Sequence, residues 1–449
     1  MKLNFPENFT FGAATAAYQI EGGRGEDGKG ESNWDVFCDI PGNIDRNETG
    51  AVACDHYHRM AGDVALMKKM HLDSYRFSIA WTRIIPDGDG EVNPKGIAFY
   101  SDLIDELLKA GIKPFVTMFH WDLPQALQDR GGWVNPESVK WFSHYAQTLF
   151  EAFGGRVKDW ITFNEPFVFT DFGYVTGSFP PGIRGNYRAK LRAAHNVLKS
   201  HGEAVKIFRN TVKDGMIGIT LDYAYNCPAT DKKEDVEAAR LANEFWAGWY
   251  FEPIVFGHYP ENASKWFREK GLLPDISDAD MKLIAQPIDF LGINHYFTNY
   301  VKYDPTNERE HTCLVEPNVH KNDMGWNITE DGFYAMLKYF QSVLKVPLYI
   351  TENGISLNDI VTVDGTVEDY DRIDYMKRYL SKLSRAMEEG LDCRGYYYWS
   401  LMDNMEWAAG FKPRFGLIYV DYATQKRIIK RSGEWYRDLI DRKNGKINN

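Results

Sequence analysis

The sequence has no hydrophobic run approaching the length of a membrane span, and its opening stretch, MKLNFPENFT, has neither an apolar segment nor a small-residue cleavage site. No spanning helix and no secretory leader are expected, and the implied compartment is the cytoplasm. Cysteine is scarce. There are five in 449 residues (Cys38, Cys54, Cys227, Cys313 and Cys393), odd in number, widely spaced and without a CxxC. That argues against a disulfide framework and for reduced thiols. Positive charge is in deficit, with a formal net charge of −11, which disfavours nucleic acid and anionic membranes as partners. Low-complexity linkers and sharp shifts of composition are also missing, so residues 1–449 read as a single domain.

Apolar and aromatic residues, by contrast, are plentiful, at 44% and 15%. They recur in one pattern: an amphipathic helix, a glycine, a polar link, then an apolar strand. Tyr100, Leu103, Ile104, Leu107 and Leu108 share a helical face before Gly111 and KPFVTMFHW. Met376, Tyr379, Leu380, Leu383 and Met387 repeat this before Gly390 and CRGYYYWSL, as do Phe333, Met336, Leu337, Phe340 and Leu344 before PLYITEN. In order, the strands are FTFGAATAA, SYRFSIAW, KPFVTMFHW, DWITFNEP, GMIGITLD, DFLGINHY, PLYITEN and CRGYYYWSL. Eight near-continuous apolar strands alternating with helices predict an α/β fold, a (β/α)8 TIM barrel with elaborated βα loops. The polar tail DRKNGKINN is expected to fray.

Strand after strand ends in a polar or aromatic group: Arg76, His120, Asn164 with Glu165, Asn294 with Tyr296, Glu352 and Trp399. In a barrel these ends ring one mouth, where the active site forms. Two acids across such a pocket, Glu165 and Glu352, have the roles needed for glycoside hydrolysis. The bland alternative is that each glutamate merely braces the barrel through a salt bridge; the flanking amides and aromatics weigh against it.

The motifs extend the comparison. TFNEP at 162–166, YITENG at 349–354, FGAATAAYQIEG at 11–22, HWDLPQAL from His120, DFLGINHY from Asp289, WSLMDNMEW from Trp399, RFG at Arg414 and VD at Val420 occur in an order that resembles glycoside hydrolase family 1, the β-glucosidase family, along almost the whole chain. The resemblance implies a retaining mechanism with Glu352 as nucleophile and Glu165 as acid/base. It implies that Arg76 and Tyr296 hold Glu352 ionised, that Asn164 bonds the sugar 2-OH, that Asn294 is a further catalytic support, and that Gln19, His120, Trp121, Glu406 and Trp407 bind the glycone over a Trp399 floor. An anionic Glu406 would repel a phosphorylated sugar. Trp326 and Phe179 are the expected aglycone contacts, and Phe167 stands where many members of the family carry Trp. The expected partner is a small β-glycoside, with no cofactor and no metal. Glucose against galactose or fucose, transglycosylation, and monomer against oligomer stay open, and a sugar-binding barrel without catalysis is the rival class.

Two motifs are read as decoys. GGRGEDGKG holds a GxGxxG at Gly23, Gly25 and Gly28, but Glu26 and Asp27 would oppose phosphate, so a flexible acidic loop is expected. In DHYH, His56 and His58 would share a face if the segment were a strand; no HExxH or Cys cluster completes a metal site, and both are read as structural.

Overall fold

The computed structural model describes residues 3–446. Eight strands close into a barrel: β1 (Thr10–Ala14), β2 (Ser74–Ser78), β3 (Lys113–Phe119), β4 (Asp159–Asn164), β5 (Met216–Asp222), β6 (Phe290–Asn294), β7 (Leu348–Asn353) and β8 (Cys393–Trp399). Each pairs in parallel with its neighbours in sequence, and β1 closes the ring on β8 through Thr10–Gly395 to Ala14–Trp399. All eight expected strands are therefore present, with helices between them on the outside.

The lumen is filled in layers. At its floor, Phe115, Phe290, Tyr349 and Tyr397 pack with ring centroids 5.2–5.8 Å apart. Tyr397 fits because its neighbour on β1 is Gly12, where a Cβ would stand 2.5 Å from the tyrosine ring. Above lies a hydroxyl layer: Thr117 accepts from Arg76 Nε (3.1 Å), and Thr220 donates to Thr351 (3.2 Å). Gly292 leaves room for this layer, since a Cβ there would meet Thr220 Oγ1 at 2.4 Å. Amides and carboxylates come next, at the C-terminal ends of the strands.

Helix boundaries follow local chemistry. In the helix Pro94–Ala110, the Asn93 side chain caps Lys95 N–H, Pro94 opens the first turn, and Gly111 ends it at φ 80°. Tyr100, Leu103, Ile104 and Leu107 are buried as expected, but Leu108 is 43% exposed; it lies one position past the edge of the stripe. Leu344 falls just beyond the helix Glu330–Val343. Strand β1 is shorter than expected, because Ala17 N–H donates to Ser78 Oγ (2.7 Å) and the chain turns into the short helix Ala17–Ile20.

The tail departs from expectation too. The helix Arg431–Lys443 runs into it, with Lys443 Nζ donating to Phe9 O (2.8 Å) and pairing with Asp73 (2.7 Å); residues 447–449 lie outside the described residues. The βα loops carry two small sheets that sequence periodicity did not announce, a hairpin of Ile418–Asp421 with Lys426–Ile429 and a three-stranded sheet of Asn226–Pro228, Asn299–Tyr303 and Thr312–Val315.

His56 and His58 are not on a strand; they open the helix His56–Lys69. His56 Nδ1 meets Asp63 at 2.8 Å, and His58 meets Asp55 and Glu26. Among the described residues no group of three or more His, Cys, Asp or Glu is arranged to hold a metal. In the glycine-rich loop Asp27 pairs with Lys95, and among the described residues no helix is long and apolar enough to cross a membrane.

Candidate active site

The ends of β2, β4, β6 and β7 converge on one polar network. Arg76, buried in the lumen, donates from Nη1 to Glu352 Oε1 (2.6 Å) and to Thr351 O (3.0 Å), and from Nη2 to Asn164 Oδ1 (2.6 Å). Asn294 Nδ2 donates to the same Asn164 oxygen (3.0 Å) and to Glu165 Oε1 (2.7 Å), while its own oxygen accepts from Thr351 (2.8 Å). Tyr296 OH donates to Glu352 Oε2 (2.6 Å). An unbroken path of hydrogen bonds, Glu352–Arg76–Asn164–Asn294–Glu165, thus joins two acids that are 187 residues apart in sequence (352 − 165). Both acids are buried at the mouth.

Their environments differ. Burial raises the Glu165 carboxyl well above its ordinary range, and the charges of Glu352 and Asp222 raise it further; the Asn294 amide and, more weakly, the Arg76 charge oppose them. Burial also raises Glu352, but the Arg76 guanidinium and the Tyr296 hydroxyl hold it back. A proton shared by the pair therefore resides on Glu165, because only Glu352 has a cation against it. Glu165 itself sits at φ 49°, a left-handed backbone that costs a non-glycine residue ~1–2 kcal/mol. Its N–H is tied to Thr220 O at 2.9 Å.

Next to the pair lies a cradle of unpaired polar atoms. Gln19 donates to Asn404 Oδ1 (3.0 Å) and Met405 O (2.6 Å), which fixes its amide and leaves Oε1 without a partner. His120 Nε2 accepts from Asn164 Nδ2 (3.1 Å), and burial with the charge of Arg76 keeps the ring neutral. Its proton is therefore on Nδ1, which has no partner. Glu406 Oε2 is likewise unpartnered. Burial, then the charge of Glu352, pushes the Glu406 carboxyl up to about 8. The pocket thus disfavours the anion expected at Glu406.

Aromatic rings wall the cradle. His120 lies close to parallel with both Trp399 (5.9 Å, 22°) and Trp407 (5.9 Å, 19°). Trp121 packs on Trp407 at 4.4 Å and donates its indole N–H to Asn164 O at 2.9 Å, so its polar handle is committed to the wall. Trp326 is half-buried 5.4 Å from Tyr296, beside the nucleophile candidate. Phe179 differs from expectation. It is 9% exposed and packed against Trp34 (4.9 Å), Phe172 (5.1 Å) and Trp121 (5.4 Å), which makes it part of the wall behind Trp407 and not an open platform.

Two residues were missed by sequence reasoning. Asp222 ends β5 at the mouth, and Trp246 donates to its Oδ2 at 3.1 Å. The signal for Asp222 was present, since it closes GMIGITLD as a strand-end acid just as Glu352 closes its own strand. Trp246 lies in a kinked segment between two helices and carries no such signal.

Residues 1–445 match the model of glycosyl hydrolase family 1. The chain belongs to that family. As a family 1 enzyme it is 48% identical, over 97% of each chain, to "Beta-glucosidase A" of Thermotoga maritima, and 46% identical to "1,4-beta-D-glucan glucohydrolase" of Thermotoga neapolitana, over 97% of this chain and 98% of that one. The structure of beta-glucosidase from Thermotoga maritima in complex with glucoimidazole superposes with a TM-score of 0.95 at 46% identity, covering 98% of this chain and all of that one. The family 1 fold is thus the barrel described above, and the substrate is a small-molecule glycoside.

Proposed function

We propose that the protein is a retaining β-glucosidase that releases terminal β-D-glucosyl residues from oligosaccharides and from aryl or alkyl glucosides. The observation that carries this reading is the hydrogen-bonded path from Glu352 to Glu165 beside a cradle of unpaired Gln19, His120 and Glu406 atoms. A 449-residue chain with one continuous buried core acts as one catalytic unit. Its cysteines are free thiols, which suits a reducing compartment such as the cytoplasm.

In the first step Glu352 attacks the anomeric carbon, the bond to the aglycone oxygen breaks, and Glu165 gives that oxygen its proton. Esterification removes the charge on Glu352, one of the causes that raise Glu165. Glu165 then becomes a better base than acid for the second step, takes a proton from water, and the resulting hydroxyl displaces Glu352 from the same carbon. Two inversions give retention. Asn164, oriented by Arg76, Asn294 and His120, holds the 2-OH. Gln19 Oε1 accepts a ring hydroxyl, His120 Nδ1–H donates to one, and Glu406 takes another. The Trp399 face covers the sugar's C–H groups, and Trp326 is the aglycone platform. The glycone is unphosphorylated, because a phosphate would add charge to a pocket where Glu165, Glu352 and Glu406 are all already raised. Cellobiose is a natural-type substrate consistent with the relative named as a 1,4-beta-D-glucan glucohydrolase.

The test uses two truncations. Glu352→Ala is expected to lose turnover of an aryl β-glucoside, with azide restoring it as the α-glucosyl azide. Glu165→Ala with azide is expected to give the β-azide. Product configuration by NMR decides; the opposite pair of outcomes exchanges the two roles, and no turnover by the unmodified protein ends the proposal.

A further inference from the structure

A third carboxyl stands at the mouth. On β5 the Thr220 hydroxyl reaches Thr351 inside the lumen, over Gly292 of the intervening β6, so by strand alternation Asp222, two residues on, faces the same way one step closer to solvent. Its Cα is in register with Asn294, the residue whose amide holds Glu165. Oδ2 accepts from the Trp246 indole; among the described residues Oδ1 accepts no hydrogen bond, and no Lys, Arg or His pairs with the carboxyl. Trp246 is half-buried and stacked on Phe167 (4.3 Å, 23°), two residues past Glu165.

Ring order says which part of the substrate passes here. The glycone cradle is built at the ends of β1 (Gln19), β3 (His120) and β8 (Trp399, Glu406). In the closed order β5 lies four strands from β1, on the opposite side of the mouth. With the glycone seated against β1 and β8, the leaving group beyond Glu165 crosses β5.

Resting on the reading of Glu165 as the acid, we propose that Asp222 determines leaving-group specificity: its free carboxylate oxygen receives a hydroxyl or ammonium group of an aglycone lying over Trp246 and turns away anionic aglycones. The choice of pH matters for the test. Burial, opposed by the Trp246 bond and aided by the charge of Glu352, pushes the carboxyl up to about 7, so it is mostly ionised at pH 8.

The experiment measures kcat/KM at pH 8 for three phenyl β-glucosides bearing a para hydroxymethyl, aminomethyl or carboxylate group. The unmodified enzyme is expected to use the carboxylate about tenfold less well than the hydroxymethyl compound, and the aminomethyl compound at least as well. Asp222→Asn, which keeps an acceptor for Trp246, should narrow the series to within about twofold. Asp222→Glu should keep the gap, and Trp246→Phe, which frees the carboxyl, should shrink it. A flat series in the unmodified enzyme overturns the inference about Asp222 alone, whether or not the variants fold, and so does an undiminished gap in Asp222→Asn. No hydrolysis even of the hydroxymethyl compound overturns the glucosidase reading with it.

Discussion

Arg76 serves four acceptors in the lumen: Thr117 Oγ1, Thr351 O, Glu352 Oε1 and Asn164 Oδ1. Its replacement by methionine removes the cation that holds Glu352 down. We expect kcat/KM to fall about 10²-fold or more, and the acid limb of its pH profile to move to higher pH, because that limb reports the ionisation of Glu352. An unchanged limb would separate Arg76 from the nucleophile's charge. Glu406 gives a stability prediction. Its folded value, about 8, stands above the ordinary 4.5. The group therefore favours the folded state fully below pH ~4, and that advantage is lost as pH rises through 8. Glu406→Gln should lower activity yet raise Tm at pH 8 by about 2 °C or more relative to any change at pH 5; equal shifts at both would refute the burial argument. At this scale the sequence was legible where a polar residue interrupted an apolar strand end, as at Glu165 and Glu352. It was not legible where conformation departs from type: Trp121 (φ 80°), Glu165 (φ 49°) and Trp407 (φ 49°) have left-handed backbones that no local preference announces and only their surroundings enforce.

Among the elements, the loop after β8 is held by charges that its motif does not reveal. Asp403 accepts from Lys430 Nζ (2.6 Å), Arg414 Nη1 (2.6 Å) and Gly416 N–H (2.9 Å), and Lys430 and Arg372 also share Asp359. The neighbouring Asn404 fixes Gln19. Asp403→Ala leaves Lys430 short of a partner in a dry site and is expected to cost about 3–5 kcal/mol. KM should rise more than kcat falls, since the loop carries Glu406 and Trp407 but not the two acids. Thermal unfolding and a KM-against-kcat comparison check both, and an unchanged KM would detach the loop from binding. Helix faces were legible because burial follows the 3.6-residue period, as at Leu103 and Leu107, and the reading failed at the stripes' edges, at Leu108 and Leu344. The loop strands, such as Asn299–Tyr303, were not, because they are largely half-buried or exposed and lack the apolar run that marked buried barrel strands of the same length.

For the molecule as a whole, eight apolar strands separated by helices indicated a closed ring, since a parallel sheet of that count covered by helices has few other ways to bury its edges. What fills the ring was hidden. Phe115, Phe290, Tyr349 and Tyr397 come from four strands, and each alone reads as an ordinary buried aromatic. Closure also brings the first strand and the last helix together: Lys443 reaches the carbonyl of Phe9, and Tyr436 OH donates to Gly12 O at 2.8 Å. Phe9 precedes β1, so this junction lies at the pole away from the sugar pocket. The protein thus comes with a handle on its blind side. Tethered to a bead at this pole, through Lys446 for example, it should hydrolyse a dissolved glucoside at its free-solution rate, whereas a tether grafted beside Trp326 should throttle it.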